Sequence, residues 1–205
     1  MKLMAPLYML RHGETAWNTE RRMQGTKNSA LTERGRAQAV AMGQALKAEL
    51  AREPGPTLFL RSPLGRTCET ALLVGSELGI DAAQWRDDPR LAELSYGEWE
   101  GFTWKEIEAH HPNALAQWRA DPHGFCPPRG ESHFDLRRRS AAVLADIVAA
   151  NTRTVVVSHG VSGAVLRGLN LGLDAKAMFV LEKPQDAFFR LLAGREERIV
   201  CEARD

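Results

Sequence analysis

The sequence holds only three cysteines in 205 residues, Cys68, Cys126 and Cys201, far apart and with no CxxC pair. That argues against a disulfide framework and against a cysteine-based zinc cluster, and it suits a reducing, cytoplasmic setting. Charge of one sign is also lacking. Lys and Arg number 27 against 26 Asp and Glu, a net of +1, so no broad polyanion-binding face is expected and nucleic acid is not an expected partner. Long apolar runs are missing too. The run from Leu3 to Leu10, interrupted by Pro6 and Tyr8 and stopped by Arg11, is too short to span a bilayer, and no small-residue cleavage site follows it. It reads as a buried strand of an untargeted chain with no membrane partner. There are no repeats and no low-complexity segments. With 44% hydrophobic and 26% charged residues, the composition is that of a globular protein, and the length fits one domain over residues 1–205.

What is present is an alternation of short apolar runs with longer helical stretches, the pattern of an α/β sheet covered on both faces. Leu7 to Leu10 reads as the first strand. Thr32 is a candidate N-cap for an Ala-rich helix reaching Leu50. After the breaker Glu53-Pro54-Gly55-Pro56 comes a strand from Thr57 to Leu60, and Ser62-Pro63 reads as the start of another helix, with Ser capping and Pro in the first turn. Residues from about 96 to 130 carry Trp99, Phe102, Trp104, Trp118 and Phe125 and close on Pro127-Pro128-Arg129-Gly130; they read as an insertion over the sheet edge. A helix from Ser132 to Ala150, a strand from Thr154 to Val157, a helix near Val161 and final short strands around Leu191 and Ile199 complete the pattern.

Two strand ends share one signature. The first runs into Arg11-His12-Gly13, and the later one into Ser158-His159-Gly160. In open α/β sheets ligands bind beyond the carboxyl ends of strands where strand order reverses. Two histidines in that position, each followed by a glycine that lets backbone approach a ligand, suggest one shared site. A single such histidine is ordinarily structural. Arg66, in the first turn or two of the helix opened by Ser62-Pro63, adds a fixed positive charge and a planar fork suited to phosphate oxygens. Together Arg11, His12, Arg66 and His159 suit a phosphoryl group better than a carboxylate.

These residues carry a resemblance that runs along most of the chain. Arg11-His12-Gly13-Glu14-Thr15, Gln24-Gly25, Leu31-Thr32-Glu33-Arg34-Gly35, Ser62-Pro63-Leu64-Gly65-Arg66-Thr67, Leu91-Ala92-Glu93 with Tyr96-Gly97, Gly130-Glu131-Ser132 and Ser158-His159-Gly160 occur in that order. The sequence resembles the histidine phosphatase superfamily, also called phosphoglycerate mutase-like. The resemblance implies a three-layer αβα sandwich with a mostly parallel central sheet and a small lid insertion. It implies that His12 takes the phosphoryl group as a phosphohistidine, splitting one hard hydrolysis into two easier steps. Arg11, Arg66 and His159 would hold the equatorial oxygens, with Asn18 as a further donor and Gln24, Gly25, Tyr96 and Gly160 lining the substrate pocket. Glu93 matches the acid that protonates the leaving oxygen and later activates water, a role calling for a carboxyl that carries a proton near neutral pH. Read without the resemblance, Glu93 beside Glu98 and Glu100 is an ordinary surface carboxylate. No metal and no cofactor are called for, because the arginines supply the charge.

The leading expectation is therefore a metal-independent phosphomonoesterase acting on a small phosphorylated metabolite. Two alternatives stay open, a cofactor-dependent phosphoglycerate mutase and a non-catalytic phosphate-binding module. Against the mutase, Ala120 stands where the mutases have a second Arg, Trp104 or Lys105 stands near their substrate-binding Lys, Val161 replaces Asn, and an extra stretch before Ser132 is missing. Asn28 and Ala30 stand where the family usually has Asp and Pro. The aromatic residues between Trp99 and Phe125 read as lid packing; any that face the pocket would favour a partly apolar leaving group. His110, His111 and His123 are expected to be solvated, Arg139 to pair with Asp135 across one helical turn, and Arg195 to Arg198 to form a solvated charge run. The oligomeric state is open, a homodimer being one option.

Overall fold

The computed structural model describes residues 2–202. In chain order its elements are β1 (Leu7–Arg11), α1 (Ala16–Thr19), α2 (Glu33–Arg52), β2 (Thr57–Arg61), α3 (Gly65–Leu78), β3 (Trp85–Asp87), α4 (Trp104–His110) and α5 (Pro112–Ala120). They continue with α6 (His133–Ala150), β4 (Arg153–Ser158), α7 (Gly160–Leu171), α8 (Ala175–Val180), β5 (Ala187–Leu192) and β6 (Arg195–Val200). Strand order is β3-β2-β4-β1-β5-β6. The first four are mutually parallel, and β5 and β6 run antiparallel at the far edge.

Side chains on a strand alternate between faces, and β1 shows the consequence. Tyr8 and Leu10 pack on one face with Met42 and Leu46 of α2 and Val74 of α3. Leu7 and Met9 pack on the other with Val143 and Ile147 of α6 and Leu166 of α7. Both faces are covered, so central strands are continuously apolar, as in the buried run Thr154 to Val157 of β4. This is the expected αβα sandwich. From β1 the chain crosses to α2 on one face, and from the neighbouring β4 it crosses to α7 on the opposite face. The crevice beyond the ends of β1 and β4 is thus the point where connections diverge, the place where open sheets bind ligands. Among the described residues no helix is long and apolar enough to cross a membrane.

Three local readings need correction. Ser62-Pro63 does not open a helix. Ser62 N donates to Val157 O at 3.0 Å, extending the sheet by one rung, and α3 begins only at Gly65 with no side-chain cap from Leu64. Asn28 takes over that role, accepting from Arg66 N at 2.9 Å. The insertion's apolar centre, Trp99, Ile107 and Leu115, gathers Met23, and a backbone bridge joins Thr103 to Arg22, so it packs on the loop that follows α1. Arg139 does not pair with Asp135: Asp135 completes the capping box of Ser132, while Arg139 grips Glu131 with two nitrogens at 2.8 Å. The run from Arg195 to Arg198 forms strand β6; Arg195, Glu197 and Arg198 are exposed as expected, and Glu196 alone turns in, making a two-pronged pair with buried Arg167 at 2.9 Å.

Candidate active site

His12 directly follows β1, and its N–H donates to Ser158 O at 3.0 Å, one step beyond the last strand pair. The same rung holds His159 beside it, with ring centroids 5.3 Å apart at 64°. Both rings are almost fully buried. His12 Nδ1 lies 2.8 Å from Gly13 O. A carbonyl only accepts, so Nδ1 carries the ring proton and Nε2 keeps a bare lone pair. Burial first, then the charges of Arg11 and Arg66, push the His12 pKa well below 6.5, against a weaker opposite pull from Gly13 O. The ring is held neutral.

His159 Nε2 lies 2.8 Å from Ser62 Oγ, and its Nδ1 is buried without a partner. Burial and the nearby Arg66, His12 and Arg11 push its pKa well below 6.5 as well. Arg66 is buried, with its terminal nitrogens 2.7 Å from Lys27 O and Gly25 O and its Nε without a partner. Burial lowers its pKa to about 10, which leaves it charged at any working pH. Arg11 donates to Lys183 O, keeps a buried Nε without a partner, and lies against Gly160, where a Cβ would stand 3.4 Å from its guanidinium carbon.

Glu93 is buried, as its expected role requires. What the sequence did not foretell is its company. Oε1 accepts from Leu94 N and Ser162 N at 3.0 and 2.9 Å, and Oε2 accepts from Val161 N at 3.0 Å. His159, the N-cap of α7, offers no side-chain cap, so Glu93 caps that helix, where a carboxylate is favoured by the exposed N–H groups. Two lone pairs on each oxygen make four acceptor sites, and three are taken. The fourth is on Oε2. Burial lowers the pKa of both Arg11 and Arg66, and the nearby charge of Glu93 pulls each part of the way back.

The other expected pocket residues gather around this centre. Asn18 Oδ1 is engaged by Thr15 N at 3.1 Å and Gln185 Nε2 at 3.0 Å, which leaves only its NH2 group for a ligand. Gln24 donates to Thr15 Oγ1 at 2.6 Å, and its Oε1 is buried without a partner. Gly25 has φ +55° and no room for a Cβ beside Glu100; its contribution is the carbonyl that holds Arg66. Tyr96 is raised in pKa by burial and then by Glu93 and Glu100. Among the described residues no group of three or more His, Cys, Asp and Glu is arranged to hold a metal ion.

The family model of the histidine phosphatase superfamily (branch 1) matches residues 7–203. The chain belongs to that superfamily. Glucosyl-3-phosphoglycerate phosphatase of Mycolicibacterium vanbaalenii is 35% identical over 197 residues, covering 92% of this chain and 84% of its own. A protein of Erwinia tasmaniensis named "Probable phosphoglycerate mutase GpmB" is 35% identical over 176 residues, covering 85% and 78%. The solved structure of a mycobacterial glucosyl-3-phosphoglycerate phosphatase with VO3 matches with a TM-score of 0.77 at 32% identity, covering 98% of this chain and all of that one.

In this histidine phosphatase several site residues escape a reading by motif. Ser62, taken for a helix cap, faces His159 instead. Gln185 bridges His12 O and Asn18 Oδ1 at 3.2 and 3.0 Å. Buried Glu100 accepts from Thr26 N and Lys27 N at 2.9 and 3.2 Å, pinning the loop whose carbonyls hold Arg66. Arg139 donates to Arg90 O, Ala92 O and Glu93 O at 2.6–3.0 Å and so fixes the segment that presents Glu93. No local signal marks these partners, which lie up to 173 residues away in sequence. His123 departs from its expectation as well: its ring meets His133 and Phe179 edge-on, 5.8 and 5.6 Å away.

Two buried neutral histidines have a consequence for stability. The unfolded chain takes up their protons near pH 6.5, while the folded chain refuses them until well below it. Their stability contribution is complete above the unfolded value and lost as pH falls through the acid range, by about 1.4 kcal/mol each at pH 5.5. Urea unfolding at pH 7.5 and 5.5 checks this. The loss is expected to shrink in the His12→Asn/His159→Asn double variant; an identical loss there refutes the assignment.

Proposed function

We propose that this enzyme is a metal-independent phosphomonoesterase working through phosphohistidine at His12. The observation that carries the reading is the buried His12 ring, its Nδ1 held by Gly13 O and its Nε2 left without a partner, within the field of Arg11 and Arg66. In the first step the Nε2 lone pair attacks phosphorus and the bond from phosphorus to the ester oxygen breaks. In the substrate complex the free site on Oε2 of Glu93 carries a proton, which the ester oxygen takes as it leaves as the alcohol. The new ring cation is stabilised by its Nδ1–H bond to Gly13 O. In the second step Glu93, now a carboxylate, takes a proton from water, the hydroxide attacks phosphorus, and the N–P bond breaks to release phosphate. Arg11, Arg66, His159 Nδ1–H and Asn18 NH2 are the donors for the equatorial oxygens, aimed at charge that spreads in transfer. Ser62 donating to His159 Nε2 fixes the tautomer that puts a proton on Nδ1.

The substrate class is a small phosphate monoester. Relatives bearing phosphatase and mutase names stand at similar identity, so release and transfer need separate measurement. Brief mixing with a ³²P-labelled monoester in excess chelator, followed by a denaturing quench, is expected to give an acid-labile, alkali-stable label on wild-type protein and none on His12→Ala. Phosphate release should outpace interconversion of 3- and 2-phosphoglycerate. Absence of label with turnover intact, or activity that vanishes in chelator, refutes the mechanism. Rapid interconversion with little release makes the enzyme a mutase.

A further inference from the structure

One short segment of chain holds three residues of the phosphoryl site without itself taking part in the reaction. Between α8 and β5 the chain runs Glu182-Lys183-Pro184-Gln185-Asp186. Lys183 O accepts from Arg11. Two residues on, Gln185 Nε2 donates to His12 O at 3.2 Å and to Asn18 Oδ1 at 3.0 Å.

Both ends of this strap are anchored outside the site. At its start buried Arg167 of α7 donates to Glu182 O at 2.6 Å. The other two nitrogens of Arg167 hold Glu196 of β6 at 2.9 Å, and its guanidinium lies 3.4 Å over the Phe189 ring. At its end Asp186 O accepts from Cys201 N at 2.8 Å. Between the anchors Pro184 fixes its own φ and restricts Lys183 before it. Gln185 is therefore presented from a backbone that is held at both ends and stiff in the middle.

The bond to Asn18 decides which way its amide faces. Thr15 N–H can only donate, so the Asn18 atom it meets at 3.1 Å is the oxygen. Gln185 faces two acceptors, that oxygen and the His12 carbonyl, so it presents its NH2 group. Both lone pairs of Asn18 Oδ1 are then engaged. Turning the amide over would set NH2 against two N–H donors, whereas without Gln185 only Thr15 N opposes the turn. Nitrogen and oxygen lie on opposite sides of an amide, so pinning Oδ1 also aims the NH2. Gln185 steadies the nucleophile as well. The peptide after His12 is held at its oxygen by Gln185 and at its N–H by Thr70 Oγ1, 3.2 Å from Gly13 N, and Gly13 O then holds His12 Nδ1.

Resting on the phosphatase reading above, we infer that Gln185 is a positioning residue of the phosphoryl site. It locks the Asn18 amide with its NH2 toward the phosphoryl oxygens, and the anchored strap that carries it keeps Arg11, His12 and Asn18 in one register. Gln185 acts through Asn18 and not on the substrate directly.

A double-mutant cycle tests this, because residues that act as a unit lose activity together only once. Gln185→Met keeps the length of the side chain without its donors. Gln185→Glu keeps the shape and sets an acceptor where the donor stood, drawing the Asn18 NH2 away from the ligand. Asn18→Ala is expected to lower kcat/KM for p-nitrophenyl phosphate about 30-fold, and Gln185→Met about tenfold. Placed on top of Asn18→Ala, either Gln185 variant should cost no more than about a further threefold. Inorganic phosphate affinity, read by calorimetry, should fall in the same order. Full turnover in Gln185→Met, losses that multiply in the double variants, or a lowered Tm with phosphate affinity intact each overturns the inference. Were no ester hydrolysed, the phosphatase reading would fail, and phosphate affinity across the same variants would still decide the role of Gln185. Were His12 labelled while Asn18→Ala bound phosphate and turned over normally, the phosphatase reading would stand and this inference would fall.

Discussion

His12→Ala is expected to lower kcat/KM for p-nitrophenyl phosphate by about 10⁵-fold, the largest effect of any single substitution in this protein. The ring is the only bare nitrogen lone pair at the centre. His159 cannot stand in, because Ser62 already engages its Nε2 and its remaining nitrogen is the one that must donate to phosphate. Removing the nucleophile leaves Arg11, Arg66 and His159 able to bind, so inorganic phosphate should still inhibit or protect the variant within about tenfold of its wild-type affinity. That split between lost turnover and kept binding marks a nucleophile rather than a misfolded site. Steady-state kinetics with phosphate binding by calorimetry is the measurement. Turnover within tenfold of wild type would move the nucleophile elsewhere.

Glu93→Gln is expected to cost about 10³-fold on an alkyl phosphate, with a different outcome for p-nitrophenyl phosphate. Nitrophenolate leaves without a proton, so phosphorylation of His12 should proceed nearly unhindered, whereas activating water for the second step still needs the carboxylate. The expected trace is a burst of nitrophenolate close to one per enzyme, then slow turnover. The amide also places an N–H donor against one of the three backbone donors that Glu93 now satisfies at Leu94, Val161 and Ser162. A stability loss of about 1–3 kcal/mol should accompany it. Equal loss on both esters with no burst assigns the proton transfer to another group.

Much of the fold was legible because it depends on local rules. The run Thr154 to Val157 is β-branched throughout and buried along its length, which suits a doubly covered strand, and Thr32 caps its helix as its position suggested. The aromatic cluster from Trp99 to Phe125 stood out in the sequence, but nothing in it says that its inner face will meet Met23 on the loop after α1. Ser62 was misread since a Ser-Pro pair is a strong local cap signal, and the competing claim on it came from β4 and His159. Arg139 was misread in the same way: Asp135 sits one turn away, yet Ser132 claims Asp135 and Glu131 fits the Arg fork better.

From the sequence alone followed the sheet with helices on both faces, the two histidines at strand ends, the arginines beside them and the family they belong to. Each of these is written in residue type and short-range spacing, which strand and helix periods convert directly into position. The tertiary structure decided the capping of α7 by Glu93 and the loop from Gln24 to Asn28 that grips Arg66. Those depend on contacts between segments tens of residues apart or more, and on which donor reaches which acceptor first once water is gone. The near-zero net charge belongs to both. It left a broad anionic partner unexpected, while the fold brings Arg11 and Arg66 close enough for Arg66 to feel the charge of Arg11.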